Sequence, residues 1–211
     1  MKLKLLELFK GTGSIGKVAN KMNIDVISLD LEEKYKPDIL TDILDWDYKK
    51  FYKQYNFIPD FIWASPPCNT YSPLAYPLKE RNPQTAEPLS ERALLGTLIL
   101  YKTLEIVRFF LKLNPNLLFV IENPKGMMRK DKIIKQLNLS STVYSAYGDI
   151  KRKPTDFFNN LPEGLELLPI DTKNNKELVS VVNLKLEQRY CIPKKLVETI
   201  LKQMVQQYQI K

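Results

Sequence analysis

The chain has 211 residues, 44% of them hydrophobic and 27% charged, and no histidine. Those proportions suit one folded domain and exclude a disordered or fibrous chain, and the missing histidine excludes the Ser-His-Asp triad, the Cys-His dyad and every His-containing metal site. Lysine and arginine outnumber aspartate and glutamate by 32 to 24, a net charge of +8, which favours a polyanionic partner such as nucleic acid.

Two cysteines, Cys68 and Cys191, are too few for a four-cysteine zinc site and give no disulfide framework, so no metal is expected. No run reaches the ~18 consecutive apolar residues of a membrane span, and the opening residues lack a signal-peptide cleavage pattern. The chain is therefore expected to be soluble and intracellular, in cytoplasm, nucleoid or nucleus, with no membrane partner.

In chain order, short apolar β-prone runs alternate with helical patterns. The spacing predicts a strand over 3–9, a helix over 15–22, a strand over 25–29 and a weaker strand near 38–42. A helix over 48–54, a strand over 60–64 and a long helix over 90–113 follow. A strand over 117–121, a helix over 131–137, a strand over 142–147 and a helix over 193–207 complete the list. This alternation predicts a Rossmann-like α/β fold, a mostly parallel sheet with helices on both faces. Ser90 is placed to cap the long helix, and Leu94, Leu95, Leu98, Leu104, Val107 and Leu111 form its apolar stripe. In the last helix Ile192, Leu196, Ile200 and Val205 mark one face. Between Tyr71 and Leu89, four prolines without a period read as a long loop on a strand end. No linker or repeat divides the chain, so residues 1–211 are expected to form a single domain.

In open α/β sheets, ligands bind outside the carboxyl ends of the strands. The first strand ends in Phe9-Lys10-Gly11-Thr12-Gly13-Ser14-Ile15-Gly16, where glycines serve either loop closure or close approach of a ligand. The second ends at Asp30, where a carboxylate can accept from ribose hydroxyls or stand solvated. Together they point to an adenosine-bearing cofactor. The next strand ends in Ser65-Pro66-Pro67-Cys68-Asn69-Thr70-Tyr71-Ser72; a free cysteine is commonly a small buried hydrophobe, but two prolines that fix it at a strand end argue for a presented nucleophile. Another strand ends in Glu122-Asn123-Pro124, a costly place for a carboxylate unless it is paired or employed.

Together these segments resemble the cytosine-C5 DNA methyltransferase family through most of the chain. Leu8-Phe9-Lys10-Gly11-Thr12-Gly13 is similar to its first, cofactor-binding motif. Asp30 falls at its second-strand acid, and Thr41-Asp42-Ile43 resembles a Gly-Asp-Ile whose aspartate binds the cofactor adenine. Pro66-Pro67-Cys68 with Ser72 is similar to the nucleophile motif Pro-Cys-Gln-x-Phe-Ser, with Asn69 for Gln and Tyr71 for Phe. Arg92 falls at an arginine of the helix after the catalytic loop, with Ser90 in place of the usual aspartate. Glu122-Asn123-Pro124-Lys125-Gly126 resembles Glu-Asn-Val-x-Gly. The family's Tyr-Gly-x-Pro-Gln-x-Arg-x-Arg corresponds to Tyr147-Gly148-Asp149-Ile150-Lys151-Arg152-Lys153-Pro154-Thr155. Lys153 thus replaces an arginine that touches cytosine, keeping charge but losing the planar fork, and Thr155 replaces the second arginine. Arg189-Tyr190-Cys191-Ile192-Pro193 resembles a degenerate final cofactor motif. The target-recognition region is reduced to about 160–188.

The resemblance implies a class I methyltransferase fold of seven strands, the last antiparallel. It implies an enzyme that moves a methyl group from S-adenosylmethionine to C5 of cytosine in DNA, leaving S-adenosylhomocysteine. Phe9, Gly11, Thr12, Gly13, Ser14, Ile15, Asp30, Leu31, Asp42, Ile43 and Pro66 would hold the cofactor. Cys68 would attack C6 and Glu122 would serve N3 and the amine. Pro67, Ser72, Arg92, Asn123, Lys151 and Lys153 would contact the substrate. With no histidine present, a helix end, Lys or Arg must lower the Cys68 pKa. The partner expected is duplex DNA with the base flipped out, under a loop over 69–89. Lys125, Arg129, Lys130, Lys132, Lys151, Arg152 and Lys153 are candidates to track phosphates. A protein partner that supplies specificity, a tRNA substrate, and a non-catalytic subunit of a larger methyltransferase remain as alternatives, and a small form of this kind would suit a phage, a virus or a restriction-modification system.

Overall fold

The structure, a computed structural model, describes residues 2–170, 179 and 183–210. Seven strands form one sheet in the order β3-β2-β1-β4-β5-β7-β6. They are β1 (Lys4–Leu8), β2 (Asp25–Asp30), β3 (Ile39–Leu40), β4 (Phe61–Ala64), β5 (Leu118–Pro124), β6 (Asn138–Val143) and β7 (Pro154–Asn159). The pairs β1–β2, β1–β4, β2–β3 and β4–β5 are parallel, and β7 runs antiparallel to both β5 and β6. The helices are α1 (Ser14–Lys21), α2 (Tyr48–Tyr55), α3 (Glu91–Leu113), α4 (Leu186–Tyr190) and α5 (Lys194–Gln209).

Alternation along the strands builds two apolar layers. Leu6, Leu8, Ile62, Ala64, Phe119 and Ile121 pack against α2 and α3 through Tyr48, Phe51, Leu100, Leu104, Val107 and Phe110. Leu5, Phe61, Trp63, Leu118 and Val120 pack against α1 and α5 through Ile15, Val18, Ala19, Leu196, Ile200 and Met204. Covered on both faces, these strands read as continuous apolar runs in the sequence. The fold is Rossmann-like α/β, as the alternation predicts. The strand order reverses between β2 and β4 on either side of β1, which opens a crevice at their carboxyl ends.

Four expectations change. The strand expected over 142–147 is β6, four residues earlier, and Tyr144–Tyr147 form a 3-10 turn. The helix expected over 131–137 is only a 3-10 turn at Ile134–Gln136, although Ile133, Ile134 and Leu137 do pack on the core. Strand β7 has no apolar alternation to reveal it: Pro154, Asp156 and Asn159 stand in it. Finally, α3 is capped by Ser90, whose hydroxyl accepts from Ala93 N at 3.1 Å, but its buried face matches the expected stripe only in its second half, at Leu104, Val107 and the partly buried Leu111. Ala93, Thr97, Leu100, Leu104 and Val107 face the core, and Leu94, Leu95 and Leu98 are exposed.

Candidate active site

A cavity of about 390 Å³ lies at the carboxyl ends of β1, β2, β4 and β5. Its floor is the turn after β1. Phe9 adopts a left-handed backbone, φ 64, and Gly11 and Gly13 follow with φ 48 and 68, a sequence of conformations that glycine tolerates and most residues resist. This brings Gly11 N onto Asp30 Oδ2 at 2.8 Å. Asp30 Oδ1 accepts from Glu32 N at 2.9 Å, so each carboxylate oxygen holds one backbone amide and keeps a lone pair for a ligand. Phe9, Gly11, Thr12, Ser14, Ile15, Asp30 and Leu31 line the cavity. Ser14 also accepts from Ile192 N at 3.1 Å, tying this turn to the segment before α5. Asp42 and Ile43 line it beyond β3, and Asp42 Oδ1 accepts from Leu44 N at 2.9 Å. Gly13 sits in the turn and does not line the cavity.

The other wall is the end of β4 and β5. Pro66, Pro67, Cys68 and Glu122 all line the same cavity. The Cys68 carbonyl accepts from Tyr71 N at 3.0 Å and Ser72 N at 2.9 Å, so the chain coils tightly behind the thiol. Burial pushes the Cys68 thiol up; the Lys153 ammonium opposes that rise and the Glu122 carboxylate adds to it. The direction is opposite to the expected lowered thiol, because desolvation outweighs the Lys153 cation. Glu122 is 5% exposed. Its Oε1 accepts from the Tyr144 hydroxyl at 3.0 Å and lies 3.5 Å from Lys153 Nζ.

Of the expected substrate contacts, Pro67 and Lys153 reach the cavity and four do not. Ser72 is buried behind Cys68. Asn123 points to the opposite face of β5 from Glu122, and its amide donates to Pro66 O at 3.0 Å. Arg92 forms a bidentate pair with Glu80 through Nε, at 2.8 Å, and Nη2. Lys151 is 4% exposed and donates to the carbonyls of Gln188 at 2.9 Å and Cys191 at 2.6 Å. It fastens the α4 segment to the sheet. Arg129 is likewise paired, with the buried Asp156.

The loop over 69–89 is pinned in its second half. Arg81 is 2% exposed, stacks 3.6 Å from the Tyr71 ring, and donates to Thr70 Oγ1, Ala86 O, Thr97 Oγ1 and Ala93 O. Only the exposed stretch around the 3-10 segment Pro73–Leu78 is left without such an anchor.

Glu7, in β1, is the residue that the sequence reading passed over. Strand alternation turns it toward α1, it lines the cavity, and it is 1% exposed. Neither oxygen has a hydrogen-bond partner among the described residues. Burial pushes its carboxyl up to about 7, against Lys10 and the amides of Ile15 and Gly16 at the start of α1. A Cβ at Gly16 would stand 2.9 Å from Glu7 Oε2, so a larger residue there would push the carboxyl aside. A lone carboxylate inside an apolar strand is the same signal that singles out Glu122. Tyr190 also lines the cavity, from the end of α4. Among the described residues, no group of three or more Cys, Asp or Glu is placed to hold a metal ion, and no helix is long and apolar enough to cross a membrane.

No family model matches the chain. It is 31% identical over 154 residues to a probable DNA (cytosine-5)-methyltransferase of Frog virus 3 (isolate Goorha), covering 71% of this chain and 68% of that protein. Among solved structures it resembles a putative DNA modification methyltransferase encoded within an E. coli prophage, with a TM-score of 0.50, 17% identity, and coverage of 75% of this chain and 46% of that one. It also resembles the S. pombe Dnmt2 methyltransferase, with a TM-score of 0.45, 15% identity, and coverage of 87% and 53%. The chain thus spans about half the length of these solved structures, and the prophage enzyme shares its fold. By its identity to the viral protein over most of both chains, the chain belongs to the DNA (cytosine-5)-methyltransferase family.

Proposed function

We propose that this protein transfers a methyl group from S-adenosylmethionine to C5 of cytosine in duplex DNA, through a covalent bond from Cys68 to C6 of a flipped-out base. The observation that carries the reading is the joint lining of one cavity by Cys68 and Glu122, beside Asp30, Asp42 and Glu7. The lining fits the cofactor. Phe9, Ile43 and Leu31 offer apolar surface to a flat base, Asp30 keeps lone pairs for a ribose diol, and Glu7 is a buried carboxyl with no hydrogen-bond partner among the described residues, which would suit a cationic group. When bound, S-adenosylmethionine supplies an electrophilic methyl group on a sulfonium.

Cytosine C5 is a weak nucleophile, and the chain's own residues have to make it a better one. The Cys68 thiolate gives an electron pair to C6 and forms the S–C6 bond. The displaced π electrons move through the ring as N3 takes a proton from Glu122, which leaves an enamine-like C5. Once C5 carries the methyl group, N3 returns its proton to Glu122, the C5 proton leaves to a base, the C5–C6 double bond re-forms, and the thiolate of Cys68 departs. Lys153, between Cys68 and Glu122, favours the thiolate form. We propose too that target recognition rests on a reduced region at 160–188, of which 171–178 and 180–182 lie outside the described residues. A short target site or a protein partner would then supply selectivity, and bisulfite mapping of product DNA showing a long defined target would refute this.

The test is transfer of labelled methyl from S-adenosylmethionine to unmethylated duplex DNA and, in parallel, tRNA, with Cys68→Ala as control. Cysteine-dependent 5-methylcytosine in DNA supports the reading. Label in tRNA alone replaces the substrate, and no label with cofactor still bound leaves a binding subunit instead of an autonomous enzyme.

A further inference from the structure

We infer that Tyr144 is the positioning residue that aims Glu122 at the substrate base. Tyr144 is fully buried in the turn that follows β6 and does not line the cavity, so it acts only through its neighbour. Its hydroxyl donates to Glu122 Oε1 at 3.0 Å. Lys153 Nζ lies 3.5 Å from that same Oε1 and 3.5 Å from the Tyr144 hydroxyl, and 4.9 Å from the centre of the Tyr144 ring. The ring thus serves as a platform for the lysine while the hydroxyl holds the acid. Both donors converge on Oε1, which fixes the carboxyl by one oxygen and leaves Oε2 for the base.

The fixing geometry comes from the sheet. Val143 pairs with Pro154 across β6 and β7, and Tyr144 N donates to Lys153 O at 3.2 Å. The two residues therefore sit side by side at the strand end that faces Glu122 on β5. This inference rests on the methyltransferase reading above. As Glu122 gives its proton to N3, a carboxylate forms where water is scarce. A phenol O–H already aimed at Oε1 holds that carboxylate through a charge-assisted hydrogen bond, with no reorganisation at the moment of reaction. The contribution belongs to the turnover step and not to the binding of either substrate.

The experiment compares Tyr144→Phe with Tyr147→Phe. Tyr147 is also buried, but its hydroxyl accepts from Leu168 N at 2.9 Å and makes no contact with Glu122. Thermal melting and cofactor binding report the structural cost of each change. For Tyr144→Phe, kcat is expected to fall about ten-fold or more, while KM for DNA and cofactor affinity stay within about two-fold. Tyr147→Phe should keep kcat within about two-fold of the parent protein. A Tyr144→Phe kcat within about two-fold of the parent overturns the inference, as does an equal loss in both variants. If the parent protein methylates neither DNA nor tRNA, the functional reading fails on its own. The contact is then decided by the carboxyl carbon resonance of Glu122 in ¹³C-glutamate protein, assigned by its loss in Glu122→Gln. A shift in Tyr144→Phe larger than in Tyr147→Phe supports the inference, and an unmoved resonance overturns it.

Discussion

The side-chain amide of Asn123 donates to the carbonyl of Pro66 at 3.0 Å and so joins the end of β5 to the turn that presents Cys68. Two consecutive prolines leave that turn without N–H groups of its own at 66 and 67, and a buried carbonyl needs a donor from elsewhere. Strand alternation puts Glu122 on one face of β5 and Asn123 on the other, so adjacent residues serve the acid and the brace of the nucleophile. Replacing Asn123 by Ala strands the Pro66 carbonyl. A stability loss of about 1–3 kcal/mol is expected by urea denaturation, with kcat falling by about ten-fold or more as Cys68 shifts. Parent-like kcat in a variant that has lost the stability would assign Asn123 to the fold alone.

Glu7 should make stability depend on pH. Its carboxyl holds its proton to about 7 in the folded chain, against a reference of 4.5. Between those values the folded state binds more protons than the unfolded state, so stability is full below the reference value and falls as pH rises through 7. The difference corresponds to about 3 kcal/mol. Glu7→Gln should match the parent chain near about pH 5 and exceed it by up to about 3 kcal/mol near about pH 8.5. Urea denaturation at both values gives the answer, and parallel slopes for the two proteins would remove Glu7 as the source.

Lys153 is the cation that opposes the burial-driven rise of the Cys68 thiol. With the exposed Cys191 changed to Ser, iodoacetamide alkylation reports the Cys68 thiolate. In that background Lys153→Gln should move the alkylation–pH curve to higher pH, slowing the reaction several-fold at about pH 8. A curve that does not move would mean that the ammonium fails to reach the sulfur in solution.

Arg81 satisfies four acceptors inside the protein without a carboxylate among them. Arg81→Met keeps much of the apolar bulk over Tyr71 and removes every donor. A loss of about 3 kcal/mol is expected, given about 1–3 kcal/mol for each buried acceptor left unpaired and incomplete additivity. Hydrogen exchange should quicken across 70–89 and leave β4 protected. Exchange confined to 72–80 would show that the second half of the loop holds without this side chain.

Much of the architecture is legible because the central strands are buried on both faces and announce themselves as apolar runs. Strand β7 escapes because its polar residues are satisfied locally. Asp156 takes Arg129 and Ser141, and Asn159 reaches the carbonyl of Asn138, so a segment with only Phe157 and Phe158 as apolar residues pairs like any other. Helix α3 shows the opposite limit: it carries leucines on its exposed side as well as its buried one, so the leucines alone do not say which side the sheet will cover. At the site, Cys68 and Glu122 are legible because each is chemically out of place at a strand end. The roles of Lys151 and Tyr144 are not, because their partners lie 37 to 40 and 22 residues away in sequence and are brought there only by the sheet.

The reversed direction of β7 has a consequence for how such a site can diversify. Every parallel strand offers the crevice whatever follows its last residue, but β7 offers what precedes its first. Tyr144 and Lys153 are therefore the two feet of one connection, held together by the Val143–Pro154 rung. Within the stretch between them Tyr147 and Lys151 are buried and committed to partners, but an exposed side chain such as Ile150 can change without moving either foot or shifting the register of any strand. Exposed side chains there are open to variation, while the acid and the cation beside it stay in place.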